Sequence, residues 1–306
     1  MKKIIITGAT SFIGRFIVSS FIKNGWVVYA ICRKNSVNLD KLPITSNLHI
    51  VYSDFSNLEC ICAEIKEADV FLNLACAGTS QKNRDEISVH ENNVKNSLAA
   101  IRISKKLNCK YFFETGSQAE LGVCSSKQYE TTECNPFSEY GKSKVRILRE
   151  GMSISEELGI KYIHLRIFSV YGPGDHDYTL VSTCLDKMEK NLAVDLSECT
   201  QKWNFLYVED AGNVIYKTIE SCIEKNTPSS IINIASKDTR QLKSFIGEML
   251  EITNSKSCLN YGAKIPQNIV SLDPDIKILE GHIGDFDFTS FHDGILKTIG
   301  GVEYER

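Results

Sequence analysis

Short apolar runs alternate with helically spaced apolar positions through the first half of the chain. Residues 3–7 form an apolar run of strand length, and residues 12–24 place apolar side chains at 13, 16, 17 and 21, the spacing of one helix face. Asn24-Gly25 closes that helix. The same reading predicts strands over 26–32, 48–52, 70–74, 111–115 and 161–167, and long helices over 89–107 and 138–158. Strands alternating with helices require crossovers, so the pattern predicts an α/β fold: a Rossmann-type, doubly wound parallel sheet. After Tyr171 the pattern loosens into a helix over 177–190, a strand over 205–208, a helix over 211–224 and a strand over 231–235. The expected organisation is a dinucleotide-binding domain over 1–170, rejoined by roughly 203–236. A smaller, interleaved C-terminal substrate domain takes 171–202 and 237–306 and covers the carboxyl edge of the sheet, where open α/β folds bind ligands.

Composition narrows the functional classes. The 306 residues are 42% apolar and 24% charged, as in a globular protein. A net charge of -3 gives no field for nucleic acid, and no run reaches the roughly 18 apolar residues of a membrane span. The N-terminal apolar run leads straight into a glycine loop and reads as a strand, not a signal peptide. Eleven cysteines lie scattered without C-x-x-C spacing. They read as small core hydrophobes in a reducing cytoplasm, with no metal site.

The first strand ends in T-G-A-T-S-F-I-G, Thr7 to Gly14, and a helix follows at once. Gly8 permits the tight turn, Gly14 lets helix and sheet pack closely, and the helix N-terminus offers N–H groups to a pyrophosphate. Thr10, Ser11, Phe12 and Ile13 complete this cofactor loop, with Ser11 where a middle glycine is usual. The second strand ends in Arg33-Lys34 with no carboxylate for an NAD ribose. Both cations suit a 2′-phosphate, so NADP(H) is favoured and NAD(H) remains possible; as surface cations they would merely be solvated. Asp54, before Phe55 at the end of the third strand, either meets the adenine amino group or caps a turn.

Tyr140 and Lys144 stand four apart on a predicted helix, hence on one face, and an ammonium beside a phenol favours the phenolate. Ser117 follows the fifth strand, at the cofactor crevice, placed to hold a substrate oxygen. Phenol, ammonium and hydroxyl together suit proton exchange with a sugar hydroxyl or carbonyl.

The chain resembles the extended short-chain dehydrogenase/reductases, the NAD-dependent epimerase/dehydratase family, over nearly its whole length. The resemblance rests on T-G-A-T-S-F-I-G, N-L-A-C-A at 73–77, E-N-N-V at 91–94, T-G-S-Q-A-E-L-G, Y-G-K-S-K, L-R-I-F-S-V-Y-G-P-G at 165–174 and W-N-F-L-Y-V-E-D at 203–210. It implies that Tyr140 is the general acid/base, that Lys144 lowers its pKa and binds the nicotinamide ribose, and that Ser117 holds the substrate oxygen. Asn93 would support the lysine through water; Leu74 and Ala75 would lie near the cofactor diphosphate. Gln118 and Trp203 join Ser117 on the substrate side. Trp203 stands where many relatives carry a diphosphate-binding arginine; it either stacks on a base or sugar or packs in the core. Arg166 matches a family arginine and reads equally as a structural ion pair. His164 reads as a satisfied sheet histidine, Asp175-His176-Asp177 as a polar loop, and Cys124 as no nucleophile. G-S-Q-A-E and Q-K-W-N-F-L-Y are similar to a subgroup of deoxysugar 4-ketoreductases typified by CDP-abequose synthase. The resemblance implies an NADPH-dependent reductase of a nucleotide-activated 4-keto-6-deoxy sugar, or an epimerase/dehydratase that recycles its hydride, and a homodimer. A non-catalytic NADP-binding sensor is a third reading, opposed by the intact Ser117, Tyr140 and Lys144.

Overall fold

A computed structural model of the chain describes residues 1–80 and 83–304. Its centre is a seven-stranded parallel sheet. In chain order β1 (Lys3–Thr7), β2 (Val27–Cys32) and β3 (Leu48–Tyr52) run to one edge; β4 (Val70–Asn73), β5 (Tyr111–Ser117), β6 (Lys161–Ile167) and, later, β10 (Ser230–Ile234) run to the other. The order reverses between β1 and β4, so their carboxyl ends flank the crevice of a doubly wound sheet. The predicted fold class and strands are therefore present.

Both faces of the sheet are covered, which is why its strands read as continuous apolar runs. Ile4 and Ile6 pack under α1 (Phe12–Lys23) and the later α5 (Val208–Glu224); Ile5 packs on the opposite side, under α2 (Ile87–Lys106) and α3 (Glu139–Leu158). All three isoleucines are fully buried, each contributing about 1.5–3 kcal/mol. On the α2/α3 side Ile5, Phe71, Phe112 and Tyr162 lie in cross-strand register, and the rings stack at 5.3 and 6.0 Å.

The remainder builds a second layer. β7 (Ser169–Tyr171) pairs with β9 (Lys202–Tyr207), which pairs antiparallel with β11 (Thr239–Gln241). α4 (Leu180–Glu189), α6 (Leu242–Ile252) and α8 (Phe291–Tyr304) enclose a separate core around Phe205, Phe245 and Phe291. A two-stranded piece, β8 (Val194–Asp195) with β12 (Leu259–Asn260), and α7 (Lys277–Ile283) complete it. β9 starts at Lys202, three residues before the predicted strand, because the polar stretch Lys202–Asn204 pairs with β11 and needs no apolar pattern of its own. α4 starts at Leu180, not at 177: Asp175 accepts from the Thr179 hydroxyl at 2.9 Å and from His176 N–H at 2.7 Å, and so holds the preceding residues in a turn.

Candidate active site

Gly8 has φ +66°, and a Cβ there would sit 3.0 Å from the Ala75 nitrogen; a Cβ on Gly14 would sit 2.3 Å from the Gly8 carbonyl oxygen. Both positions are therefore closed to a side chain, and β1, the loop and α1 meet at backbone distance. The Ser11 hydroxyl oxygen accepts from the Gly14 N–H at 3.1 Å. Ser11 thus acts as the N-cap of α1. The first N–H groups of α1, on Phe12 and Ile13, lack intrahelical acceptors and suit a diphosphate. Leu74 and Ala75 lie across the crevice, both N–H groups donating to the Thr7 hydroxyl at 3.2 Å.

The segment after β2 folds back onto this loop. Ser36 donates to the Thr10 hydroxyl at 2.7 Å and Asn38 to the Thr10 carbonyl at 3.1 Å. Arg33 and Lys34 therefore stand exposed on the rim. Of the two readings of Asp54, the structure has the cap: one carboxylate oxygen takes the Ser56 N–H at 2.9 Å and the Ser56 hydroxyl at 2.7 Å. Those bonds, with Arg33 nearby, hold its carboxyl below the ordinary value. Phe55 opens the short 3₁₀ helix that Asp54 caps.

Ser117 ends β5, and Tyr140 and Lys144 lie on the first turns of α3, whose N-cap Ser138 accepts from Gly141 N–H at 3.1 Å. The three meet at the mouth of the sheet. The Ser117 hydroxyl takes the Ala119 N–H at 3.2 Å and lies close enough to the Tyr140 phenol to favour its phenolate. Lys144 is buried and donates to the Thr115 carbonyl at 2.7 Å. Residues absent from the sequence reading complete the wall: Arg84 lies over the Tyr140 ring at 4.6 Å, and His90 meets its edge at 5.8 Å. Arg84 also accepts the Tyr140 N–H on its carbonyl at 3.0 Å.

The expected lowering of the phenol is not what the site produces by itself. Burial pushes Tyr140 above its ordinary value; Lys144, Ser117 and Arg84 pull it back only in part. The physical reason is that a phenolate loses its hydration in this wall before it gains its cationic neighbours. Lys144 is pulled down by burial but raised on balance by Cys76, Glu114, Tyr140 and Glu120, each acting only where it is ionised. Asn93 does not reach the lysine directly: it clamps Ala77, accepting from its N–H at 3.0 Å and donating to its carbonyl at 2.9 Å.

Behind Ser117 lies a carboxylate that the sequence reading did not single out. Glu120 takes the Ser117 N–H at 2.6 Å, His164 at 2.9 Å and Arg166 at 2.9 Å, all inside the fold. His164 is a satisfied sheet residue and Arg166 a structural ion-pair partner. A Cβ on Gly116 would sit 2.1 Å from His164, so glycine is required for that side chain to pass under the serine. Gln118 opens the turn after Ser117. Trp203 packs against the cluster of Leu121, Phe168, Ala235 and Leu272, and its indole N–H is buried without an acceptor. Cys124 meets Ser126, donating to its carbonyl at 3.5 Å and lying 3.5 Å from its hydroxyl, with no base among these contacts.

Residues 4–235 match the model of the NAD dependent epimerase/dehydratase family. The chain belongs to this family. Membership makes it an NAD-dependent enzyme of the extended short-chain dehydrogenase/reductase type. Among relatives, CDP-abequose synthase of Salmonella muenchen is 26% identical over 289 residues, 92% of this chain and 88% of the relative. The dTDP-6-deoxy-L-talose 4-dehydrogenase (NAD(+)) of Aggregatibacter actinomycetemcomitans is 25% identical, covering 83% and 91%. The fold matches that of the Bacillus cereus UDP-glucuronic acid 4-epimerase in complex with UDP-glucuronic acid and NAD, at TM-score 0.88 and 20% identity over 99% of this chain and 100% of that one.

Proposed function

We propose that this family member reduces the 4-keto group of a nucleotide-activated 6-deoxy sugar with NADPH. The observation that carries the reading is the juxtaposition of Ser117, Tyr140 and Lys144 beside a glycine loop shaped for a dinucleotide. A bound reduced nicotinamide would supply the hydride for the carbonyl carbon. Ser117 hydrogen-bonds the carbonyl oxygen, and Tyr140 gives that oxygen its proton. A phenol whose ordinary state is protonated suits a reductase, which must start each turnover with the proton in place. Lys144 holds the ribose and stabilises the phenolate that remains. The similarity to CDP-abequose synthase supports a deoxysugar substrate.

Arg33 and Lys34, exposed beside the fastened loop where no carboxylate follows the second strand, would pair with the 2′-phosphate of NADP(H). The buried N–H of Trp203 would donate to a substrate oxygen once the pocket adjusts, in place of an arginine. Residues 237–306, with 171–202, would form the cover over the sugar. All eleven cysteines are free, which supports a reducing cytoplasm. No helix among the described residues is long and apolar enough to cross a membrane. A homodimer through the outer faces of α2 and α3 completes the proposal, and light scattering of the purified chain tests it.

A second reading, an epimerase that returns its hydride, is favoured by the fold match to UDP-glucuronic acid 4-epimerase. Purified protein with NADPH and a panel of nucleotide-linked 4-keto sugars separates the two. Stoichiometric loss of reduced-nicotinamide absorbance with formation of the 4-hydroxy sugar supports the reductase; isomerised sugar without net cofactor consumption assigns the epimerase.

A further inference from the structure

Four polar side chains lie in one register across the centre of the sheet. Thr7 on β1 pairs with Asn73 on β4, Asn73 with Glu114 on β5, and Glu114 with His164 on β6. All four are buried, two residues beyond the stacked rings on the face covered by α2 and α3. Three are joined by hydrogen bonds: the Thr7 hydroxyl donates to Asn73 Oδ1 at 2.5 Å, and Asn73 Nδ2 donates to Glu114 Oε2 at 2.8 Å. Asn73 Nδ2 also reaches Ser97 at 3.1 Å. The other carboxylate oxygen, Glu114 Oε1, accepts no hydrogen bond and faces Lys144 Nζ at 3.7 Å.

A buried carboxylate in the central strand of a parallel sheet is costly unless something compensates it. Here a single cation does so, and it is the lysine beside the catalytic phenol. Resting on the reading that Lys144 serves Tyr140, we propose that Glu114 is a positioning residue: it supplies the counter-charge that keeps Lys144 an ammonium in the crevice, and through Asn73 and Thr7 it ties the lysine to the dinucleotide loop. The Thr7 hydroxyl that ends this chain also holds the N–H groups of Leu74 and Ala75, so the loop that faces the diphosphate and the carboxylate beside the lysine share one hydrogen-bonded frame.

The other groups facing this pair are identifiable. Cys76 from the segment after β4, Tyr140 from α3 and Glu120 from the turn after β5 face Lys144; His164 and Asn73 face Glu114. Of the acids around the ammonium, the Cys76 thiol is pushed up by its burial and Tyr140 sits above its ordinary value, so both are neutral at pH 7. Glu120 is held by Arg166 and His164. That leaves Glu114 as the nearest carboxylate without a competing ion-pair partner among the described residues; burial raises it, and Lys144, Asn73 and His164 pull it back only in part, so its charge and that of the lysine depend on each other.

The test is Glu114→Gln, which keeps shape and an acceptor for Asn73 but removes the charge. Two readouts separate this inference from the reaction assignment. The first is the titration of the Lys144 ε-methylene by NMR on lysine-labelled protein, assigned with Lys144→Arg, which requires no turnover. The Gln variant should titrate at least one pH unit below the parent. The second is the pH profile of kcat with NADPH and the 4-keto sugar, whose alkaline limb should move down by the same amount, with kcat near pH 7 little changed because the lysine stays protonated there in both proteins. The Michaelis constant for the sugar should stay within about threefold of the parent. Where the Gln variant fails to fold, Glu114→Asp carries the test, because it retains the charge but draws it back, and the lysine midpoint should fall below the parent's. A folded variant whose Lys144 titrates as in the parent overturns the proposal. A parent that turns over no 4-keto sugar while the NMR shift appears overturns only the reductase reading.

Discussion

Removing Glu120 should destabilise the protein far more than removing an exposed acid, and the loss should shrink as the pH falls below about 4.5. The carboxylate accepts from Ser117 N–H, His164 and Arg166 at 2.6, 2.9 and 2.9 Å. Glu120→Ala leaves the fully buried Arg166 guanidinium without its counter-charge, a loss of about 3–5 kcal/mol for a broken buried pair. The orphaned Ser117 N–H and His164 overlap with that figure, so we expect about 4 kcal/mol in all. The pH dependence gives an independent route to the same size. Burial raises this carboxyl, but His164, Arg166 and the Ser117 N–H outweigh it and hold it at about 2, against an ordinary 4.5. A depressed acid stabilises the fold fully above its unfolded value and loses that stabilisation as pH falls through the folded one. The gap between 4.5 and about 2 corresponds to about 3 kcal/mol at roughly 1.4 kcal/mol per unit. Urea denaturation of parent and variant should therefore show a difference of about 4 kcal/mol at pH 7, narrowing by about 2 kcal/mol between pH 5 and pH 3. A difference below about 1 kcal/mol at pH 7, or one unchanged in acid, would refute the reasoning.

Three further outcomes follow from the site. Tyr140→Phe should lower kcat by about 10²–10⁴-fold with the unfolding midpoint nearly unchanged; retained turnover would remove the phenol from the chemistry. Arg33→Asp should shift the ratio of kcat/KM for NADPH over NADH by about tenfold or more toward NADH, from loss of a charge-assisted phosphate contact, and an unchanged ratio would assign the 2′-phosphate to other groups. Gly14→Ala, whose methyl would meet the Gly8 carbonyl at 2.3 Å, should weaken dinucleotide binding measured by calorimetry by about tenfold or more and cost about 1–3 kcal/mol of stability. An affinity equal to the parent's would show that the loop yields without consequence.

The sequence by itself determined whatever repeats over a few residues. Strand and helix periods located β1 to β6, α1 and α3, and hence the parallel sheet and its crevice. The glycine loop and the four-residue interval between Tyr140 and Lys144 marked the cofactor turn and one catalytic face, because both are local geometries. It was silent on β7, β8, β11 and β12, two or three residues each, whose pairing depends on partners far away and leaves no period to read. Cross-strand register was beyond it for the same reason. Nothing local joins Thr7 to Asn73 or Asn73 to Glu114, 66 and 41 positions apart; only the lateral order of the strands does. The one visible trace was a glutamate inside the apolar run Y-F-F-E-T. The protonation states followed the same division. A lysine near a tyrosine was legible in the sequence, but whether the phenol rises or falls depends on how much water the fold removes before the charges act. That is a property of the assembled wall, with Arg84, His90 and Cys76 brought in from the segments around α2.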